Sequence, residues 1–246
     1  MRTVATIEAR MTSTRMPGKI LSPILGKPML ELLIERLRRA RRLDDVWVAT
    51  TTNATDDPTE ELARRLGAGC FRGSELDVLD RVLQAAHAAR ADVLVEITGD
   101  CPLIDPVVVD QLVETYFANQ YDYVSNSIRR THPVGLDTQV FSTRVLERVA
   151  SLTDDPVDHE HVSIYIYEHP QLFSVHNVDS GLPDGEAVGK MRLTVDTPED
   201  FALITAIYEE LYPAKPGFTL PDILDLLRRR PELLALNQHI QAKRVR

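Results

Sequence analysis

The sequence predicts an α/β fold with a mostly parallel, doubly wound sheet. Three observations carry that expectation. Short β-rich apolar runs alternate with longer stretches through the first half of the chain. The apolar residues of those stretches recur at helical spacing. The stretches are also long enough to be the crossover helices that parallel neighbours require. Residues 3–9 read as the first strand and 29–42 (MLELLIERLRRARR) as a helix whose last turns gather arginines, where they suit the helix dipole. Residues 46–51 are the second strand, and 57–66 a helix opened by Asp57-Pro58. A short strand at 69–72 and a helix at 77–89 lead to 91–98 (ADVLVEIT), a strand rich in valine, leucine and isoleucine. Asp105-Pro106 starts a helix that runs to about 119, and 121–125 is the next strand. From about residue 127 the rhythm loosens into an Arg-rich turn, a strand at 138–141 and a segment around 158–167. It returns with a strand at 191–195 and a helix at 198–212. With no repeat, low-complexity tract or linker, residues 1–246 read as one domain with an irregular segment at about 127–190.

The bulk composition narrows the function classes. A hydrophobic content of 43% and a charged content of 26% are those of a globular protein. No apolar run approaches the roughly 20 residues needed to cross a bilayer, and Glu8 and Arg10 come too early for a signal-peptide core. Two cysteines, Cys70 and Cys101, do not make a disulfide framework, so a reducing cytoplasm is expected. A net charge of −9 argues against a general nucleic-acid binder. An anionic ligand would therefore need a local positive site.

Residues 9–30 supply one. They hold Arg10, Arg15, Lys19 and Lys27 and no acid, where the chain average would place roughly three acids. The segment follows a strand and precedes a helix, which puts it at the carboxyl edge of an open parallel sheet, where ligands bind. Residues 11–19 (MTSTRMPGK) add three hydroxyl side chains and a glycine, donors suited to phosphate oxygens. The plainer alternative is a solvated loop. The spacing is neither a Walker loop nor a G-x-G-x-x-G fingerprint.

Two aspartates follow apolar strands: Asp100 in Ile97-Thr98-Gly99-Asp100-Cys101-Pro102, and Asp196 in Leu193-Thr194-Val195-Asp196-Thr197-Pro198. If those strands are parallel, both carboxylates reach the edge that carries the cationic loop. Magnesium is held by one or two carboxylates plus phosphate and water, so the pair suits a metal–triphosphate. Asp196 also reads as an ordinary helix start, with Asp196 or Thr197 as cap. A Gly-Asp-Cys-Pro turn has no comparable need of its carboxylate.

Residues 7–19 (IEARMTSTRMPGK), 48–53 (VATTTN), 71–81 (FRGSELDVLDR), 97–105 (ITGDCPLID) and 193–200 (LTVDTPED) together resemble the spore-coat polysaccharide cytidylyltransferase family, relatives of the CMP-sialate and CMP-octulosonate synthetases. The resemblance covers nearly the whole chain. It implies a GT-A-like Rossmann nucleotidyltransferase fold, CTP as donor, Mg²⁺, and pyrophosphate release. It matches Ala9, Arg10, Ser13, Thr14, Arg15 and Lys19 to a phosphate-binding loop, and Asp100 and Asp196 to metal carboxylates. Thr51, Thr52 and Asn53 match a strand end near the nucleoside; Arg72, Gly73, Ser74 and Asp77 match a turn approaching base and ribose. Asn126, Gly135, Leu136, Asp137, Glu160 and His161 fall in the region that resembles the acceptor side. Two positions depart from the pattern: His159 stands where many relatives have arginine, and Glu8 where glutamine is frequent. By the same resemblance a homodimer is expected.

The chemistry implied is in-line attack by an acceptor oxygen on the α-phosphorus, with Arg10, Arg15, Lys19 and Asp100 as the catalytic set. His161 would contact the acceptor or help deprotonate it, or would pack in the core. His132, His159 and His169 have weaker claims, and no Cys/His spacing suits zinc. Cys101 reads as a buried thiol, and Arg228-Arg229-Arg230 and residues 243–246 as solvated surface. A pyrophosphorylase using a sugar 1-phosphate, a phosphonate nucleotidyltransferase and a non-catalytic nucleotide-binding module stay open as rivals. A GT-A glycosyltransferase would need a D-x-D motif, which the chain lacks.

Overall fold

Thr3–Glu8 (β1) is buried along nearly its whole length, as a central strand of a sheet covered on both faces must be. In the computed structural model, which describes residues 1–241, β1 lies inside a seven-stranded sheet. The other strands are Pro23–Ile24 (β2), Lys27–Pro28 (β3), Asp45–Thr51 (β4), Gly69–Gly73 (β5), Val93–Thr98 (β6), Tyr123–Ser125 (β7), Gln139–Ser142 (β8) and Val175–Asn177 (β9). The helices are Met29–Leu37 (α1), Asp57–Arg65 (α2), Val78–Ala89 (α3), Pro106–Ala118 (α4), Thr143–Ala150 (α5), Pro156–Glu160 (α6), Ile164–Glu168 (α7), Gly185–Val188 (α8), Pro198–Leu211 (α9) and Leu220–Arg229 (α10).

The sheet order is β5-β4-β1-β6-β8-β7-β9, with β2 and β3 forming a separate two-stranded ladder. In the large sheet β8 runs antiparallel to β6 and β7, and the remaining pairings are parallel, as expected of a mostly parallel α/β protein. Alternation along the strands divides the core. Ala5, Ile7, Val95 and Ile97 face one apolar cluster, which includes α1, α4, α9 and α10. Val4 and Leu94 face the other, which includes α3 and α5.

The chain steps outward from β1 to β4 and β5, and α3 then carries it back past β1 to β6. This reversal opens a crevice at the carboxyl ends of β1 and β6, the place where such sheets bind ligands. Gly99 lets the two strand ends meet there. Its amide donates to the Glu8 carbonyl at 2.8 Å, and a Cβ at Gly99 would stand 2.7 Å from that oxygen.

Several expectations need correction. Residues 191–195 form no strand: they make an isolated parallel bridge between Val134 and Arg192. Their backbone bonds are divided, because Leu193 donates to Val134 and Val195 to Asp100, so no single partner strand exists. The helix expected over 29–42 ends at Leu37, and Arg36 in its last turn is not a dipole-facing surface residue. It is 2% exposed, and its guanidinium donates to the carbonyls of Ile104 and Phe218 at 2.6 and 3.0 Å. The segment around 158–167 is two short helices separated at Val162, whose φ of 45° is strained for a β-branched residue. The amphipathic α10, with its capping box from Thr219 and Asp222, lies where the sequence reading saw only an arginine run; Arg228-Arg229-Arg230 are exposed as expected. Residues 243–246 lie outside the described residues.

Candidate active site

The loop after β1 is built to hold its charges in place. The Met11 amide donates to Asp56 at 2.7 Å, and Asp56 is buried and also accepts from the Thr51 hydroxyl. Gly18, with φ 73°, donates back to the Met11 carbonyl at 2.9 Å and closes the turn. Lys19 then begins a 3-10 turn, Lys19–Leu21, with its side chain directed inward. On the outer flank Glu75 gathers Thr12, Asn53 (2.6 Å) and Arg10 (3.5 Å).

The loop borders a cavity of about 650 Å³ in the β1/β6 crevice, lined by Ala9, Arg10, Ser13, Thr14, Arg15 and Lys19 on one side. Asp100 and Asp196 face them across it. The bond from Val195 to the Asp100 carbonyl brings the two acidic turns together, with the Thr194 hydroxyl donating to the same carbonyl at 3.0 Å. Lys19 Nζ lies 3.4 Å from Asp100 Oδ2 and 3.2 Å from Asp196 Oδ1, and donates to the Val195 carbonyl at 2.6 Å. Arg15 pairs with Asp196 at 2.8 Å, and Arg192 donates to its other oxygen at 2.6 Å. Burial alone would raise the Asp196 pKa, but Lys19, Arg192 and Arg15 outweigh it and hold the carboxyl below its ordinary range.

The capping question at Asp196 has a definite answer. Thr197 caps α9 in a reciprocal box with Asp200, so the Asp196 carboxylate is not spent on the helix. One ammonium already reaches both aspartates, so the pair can share a cation. Among the described residues no group of three or more metal-ligating side chains is arranged around an ion. A metal here would take its remaining ligands from phosphate and water, a donor set that fits magnesium.

The acceptor-side expectations divide. Asp137, Glu160 and His161 line the same cavity. Arg130 grips Asp137 with both arms, at 2.7 and 3.2 Å, and burial raises the Asp137 pKa against that pull. Asn126 and Gly135 serve the scaffold instead. Asn126 is 1% exposed, and its amide is spent on the Leu136 carbonyl and the Thr138 amide, each at 2.9 Å. Gly135 has φ 102°, and a Cβ there would stand 2.3 Å from the Leu193 carbonyl.

The strand-end residues assigned to the nucleoside do not reach the cavity wall. Thr51 is held by Asp56, the Thr52 amide donates to the Gly73 carbonyl at 3.0 Å, and Asn53 is held by Glu75. Arg72 turns outward to Asp57 and Glu60, at 2.7 and 2.9 Å, and braces the Thr51 and Asn53 carbonyls. Gly73 packs on Arg81, Ser74 accepts from the Asp77 amide at 3.0 Å, and Asp77 caps α3 while pairing with His159 at 2.8 Å.

Sequence reasoning passed over Arg81, Arg130 and Arg192 and noted Glu8 only as a departure from glutamine; all four line the cavity. Arg192 stands four residues before Asp196, a spacing that could have been noticed. Glu8 closes a central strand next to the cationic loop, an unusual place for a carboxyl.

Comparison with known proteins agrees with the geometry. The profile of a family described as cytidylyltransferase matches residues 4–215. The chain is 33% identical over 235 residues to the spore coat polysaccharide biosynthesis protein SpsF of Bacillus subtilis, covering 92% of this chain and 94% of that one. It is 27% identical over 241 residues to the 8-amino-3,8-dideoxy-manno-octulosonate cytidylyltransferase of Shewanella halifaxensis, covering 84% of this chain and 98% of that one. A solved cytidylyltransferase structure from Leptospira borgpetersenii superposes with a TM-score of 0.90 at 32% identity, over 99% of this chain and 100% of that one.

Proposed function

This chain belongs to the cytidylyltransferase family, and we propose that it transfers CMP from CTP to a hydroxyl of a sugar or sugar-acid acceptor, with release of pyrophosphate. The observation that supports this most is the meeting of Arg15, Lys19, Asp100 and Asp196 in one cavity, although Lys19 and Asp196 stand 177 residues apart in the chain.

The acceptor oxygen forms a bond to the α-phosphorus while the bond from that phosphorus to pyrophosphate breaks. Such a transfer asks the protein mainly for positioning and charge neutralisation. Arg10 and Arg15 present flat donor forks to phosphate oxygens, while Lys19 places a compact charge beside the transferring group. Magnesium held by Asp100 and Asp196 would supply Lewis-acid polarisation and neutralise developing charge. Asp137, Glu160 and His161 border the space left for the acceptor. The octulosonate enzyme among the relatives supports a sugar-acid acceptor; a sugar 1-phosphate or a phosphonate is the second reading.

Pyrophosphate release with CTP, UTP, GTP and ATP, each offered octulosonate and hexose 1-phosphate acceptors with Mg²⁺, tests the proposal. CTP-selective release that depends on a sugar-acid acceptor is the expected result. Release driven by a hexose 1-phosphate would favour the second reading.

A further inference from the structure

A set of buried polar bonds ties the far end of the chain to the cavity. Arg192, in the cavity wall, spreads its guanidinium over two carboxylates. Its Nη2 donates to Asp196 Oδ2 at 2.6 Å and to Asp200 Oδ2 at 2.9 Å, and its Nε donates to Asp200 Oδ1 at 2.9 Å. Asp200 is fully buried, and it also accepts from the amides of Asp196 and Thr197 at 3.0 and 3.1 Å. Behind this pair stands Asn237, 2% exposed, just past the 3-10 turns of Pro231–Leu236. Its side-chain amide donates to the Arg192 carbonyl at 2.9 Å and to Asp200 Oδ1 at 2.8 Å. Both partners are acceptors, so the nitrogen of that amide must be the atom that faces them. Asn237 lies beyond the residues matched by the cytidylyltransferase profile.

Helix capping explains the bonds between Thr197 and Asp200, but neither the Arg192 fork nor the Asn237 amide. Those converge on the orientation of Asp196. With Oδ2 held by Arg192, Oδ1 turns to Lys19 at 3.2 Å and to Arg15 at 2.8 Å, on the side of the phosphate loop. We propose that Arg192 and Asn237 are positioning residues. Arg192 holds Asp196 so that Oδ1 is presented to the metal–triphosphate, and Asn237 holds Arg192 and Asp200 in place for that grip. The inference rests on the transfer reaction proposed above, with magnesium at Asp100 and Asp196. In this role both residues act through Asp196, as groups standing behind a metal's carboxylate ligands commonly do.

Two simpler roles make different demands. If Arg192 only neutralised acid charge, it would duplicate Lys19 and Arg15, a lysine would serve as well, and the uncharged Asn237 would be irrelevant. If Asn237 only fastened the C-terminal segment to the fold, its loss would weaken every binding property alike. A positioning role separates two kinds of nucleotide binding. Contacts from the loop after β1 do not need the Asn237 amide, whereas contacts made through a metal on Asp196 do.

The test uses the full chain and follows CTP binding by calorimetry, first in EDTA and then across a Mg²⁺ titration, so that neither turnover nor the acceptor is needed. The wild type is expected to bind CTP weakly in EDTA and more tightly as Mg²⁺ rises. Asn237→Leu fills much the same volume without the donors, and Arg192→Lys keeps the charge without the fork. Each should leave CTP affinity in EDTA nearly unchanged and raise the Mg²⁺ concentration for half of the gain at least about tenfold. A wild-type Mg²⁺ response in Asn237→Leu or in Arg192→Lys would overturn the role given to that residue. A loss of CTP affinity in EDTA as large as the loss with Mg²⁺ would make the contacts structural only, and would overturn the proposal as well. A wild type whose CTP binding ignores Mg²⁺ would overturn the metal reading, and one that binds no CTP would overturn the transfer reading itself. Both outcomes differ from an Mg²⁺-responsive wild type matched by its variants.

Discussion

The two halves of the sheet hold their side chains in different ways. In the β5-β4-β1-β6 half, parallel strands with crossover helices bring Arg15, Lys19 and Asp100 to one edge, and backbone pairing does most of the positioning. Beyond β6 the elements are short, β8 reverses direction, and the cavity wall is made of loops braced by buried polar groups. Asn126 ties the 136–138 loop, Gly135 permits the 191–193 segment to approach, and Arg130 clamps Asp137. Under the proposed reaction, regular strands would hold Arg15, Lys19 and Asp100 for the phosphates, Asp196 would reach in from the loop half, and replaceable loops would face the acceptor.

The largest effect should come from the phosphate half. Lys19→Ala is expected to cut turnover at least about a hundredfold, the scale of a lost electrostatic stabiliser, and Asp100→Asn should do the same at saturating Mg²⁺. Steady-state pyrophosphate release measures both. Near-normal turnover in either would break the comparison, because the strand edge would then not carry the chemistry.

Gly135→Ala should act on the fold first. A Cβ 2.3 Å from the Leu193 carbonyl, on a backbone with φ 102°, cannot be accommodated without a shift. Denaturant unfolding should show a loss of roughly 2–3 kcal/mol, the scale of overpacking with backbone strain. Asn126→Ala should cost about 1–3 kcal/mol, because a buried carbonyl and a buried amide lose their partner. In the folded fraction of Asn126→Ala CTP affinity should persist, since Asn126 braces the 136–138 loop, whereas Gly135 also packs on the segment that carries Asp196. An equal loss of CTP binding would show that the halves are not separable.

The smallest effect concerns His159, which joins α6 to the start of α3 through Asp77. Burial opposes its protonation, but Asp77 and the Thr153 carbonyl outweigh burial and raise its pKa. A raised pKa means that the protonated pair stabilises the fold fully below the ordinary histidine range, and that the contribution fades as pH climbs through the folded value. His159→Gln should therefore lose less than about 1 kcal/mol at mildly acidic pH and nothing at alkaline pH. Paired unfolding curves at the two pH values check this, and a larger loss at alkaline pH would contradict it.

Legibility followed the same boundary. The strands β1, β4, β5 and β6 and their crossover helices were readable because each stands out as an apolar run or a helical period, and the cationic loop stood out by having no acids. Elements such as β9 and α8, three and four residues long, are too short to carry any periodic signal. The alternation at 191–195 was real, since Leu193 and Val195 are fully buried, but burial does not reveal that the backbone partners are split between Val134 and Asp100. Arg81, Arg130 and Arg192 escaped notice for a related reason: each reaches the cavity from an element whose placement only tertiary structure determines.

Under the proposed function, one metal–triphosphate is held between the loop after β1 and the two aspartates. A crystal of this protein soaked with CTP and Mg²⁺ tests it most directly. A metal bound by both Asp100 and Asp196, with phosphate oxygens contacted by Arg10, Arg15 and Lys19, is the expected result. A nucleotide seated away from the β1/β6 crevice, or a metal that touches neither aspartate, would contradict it.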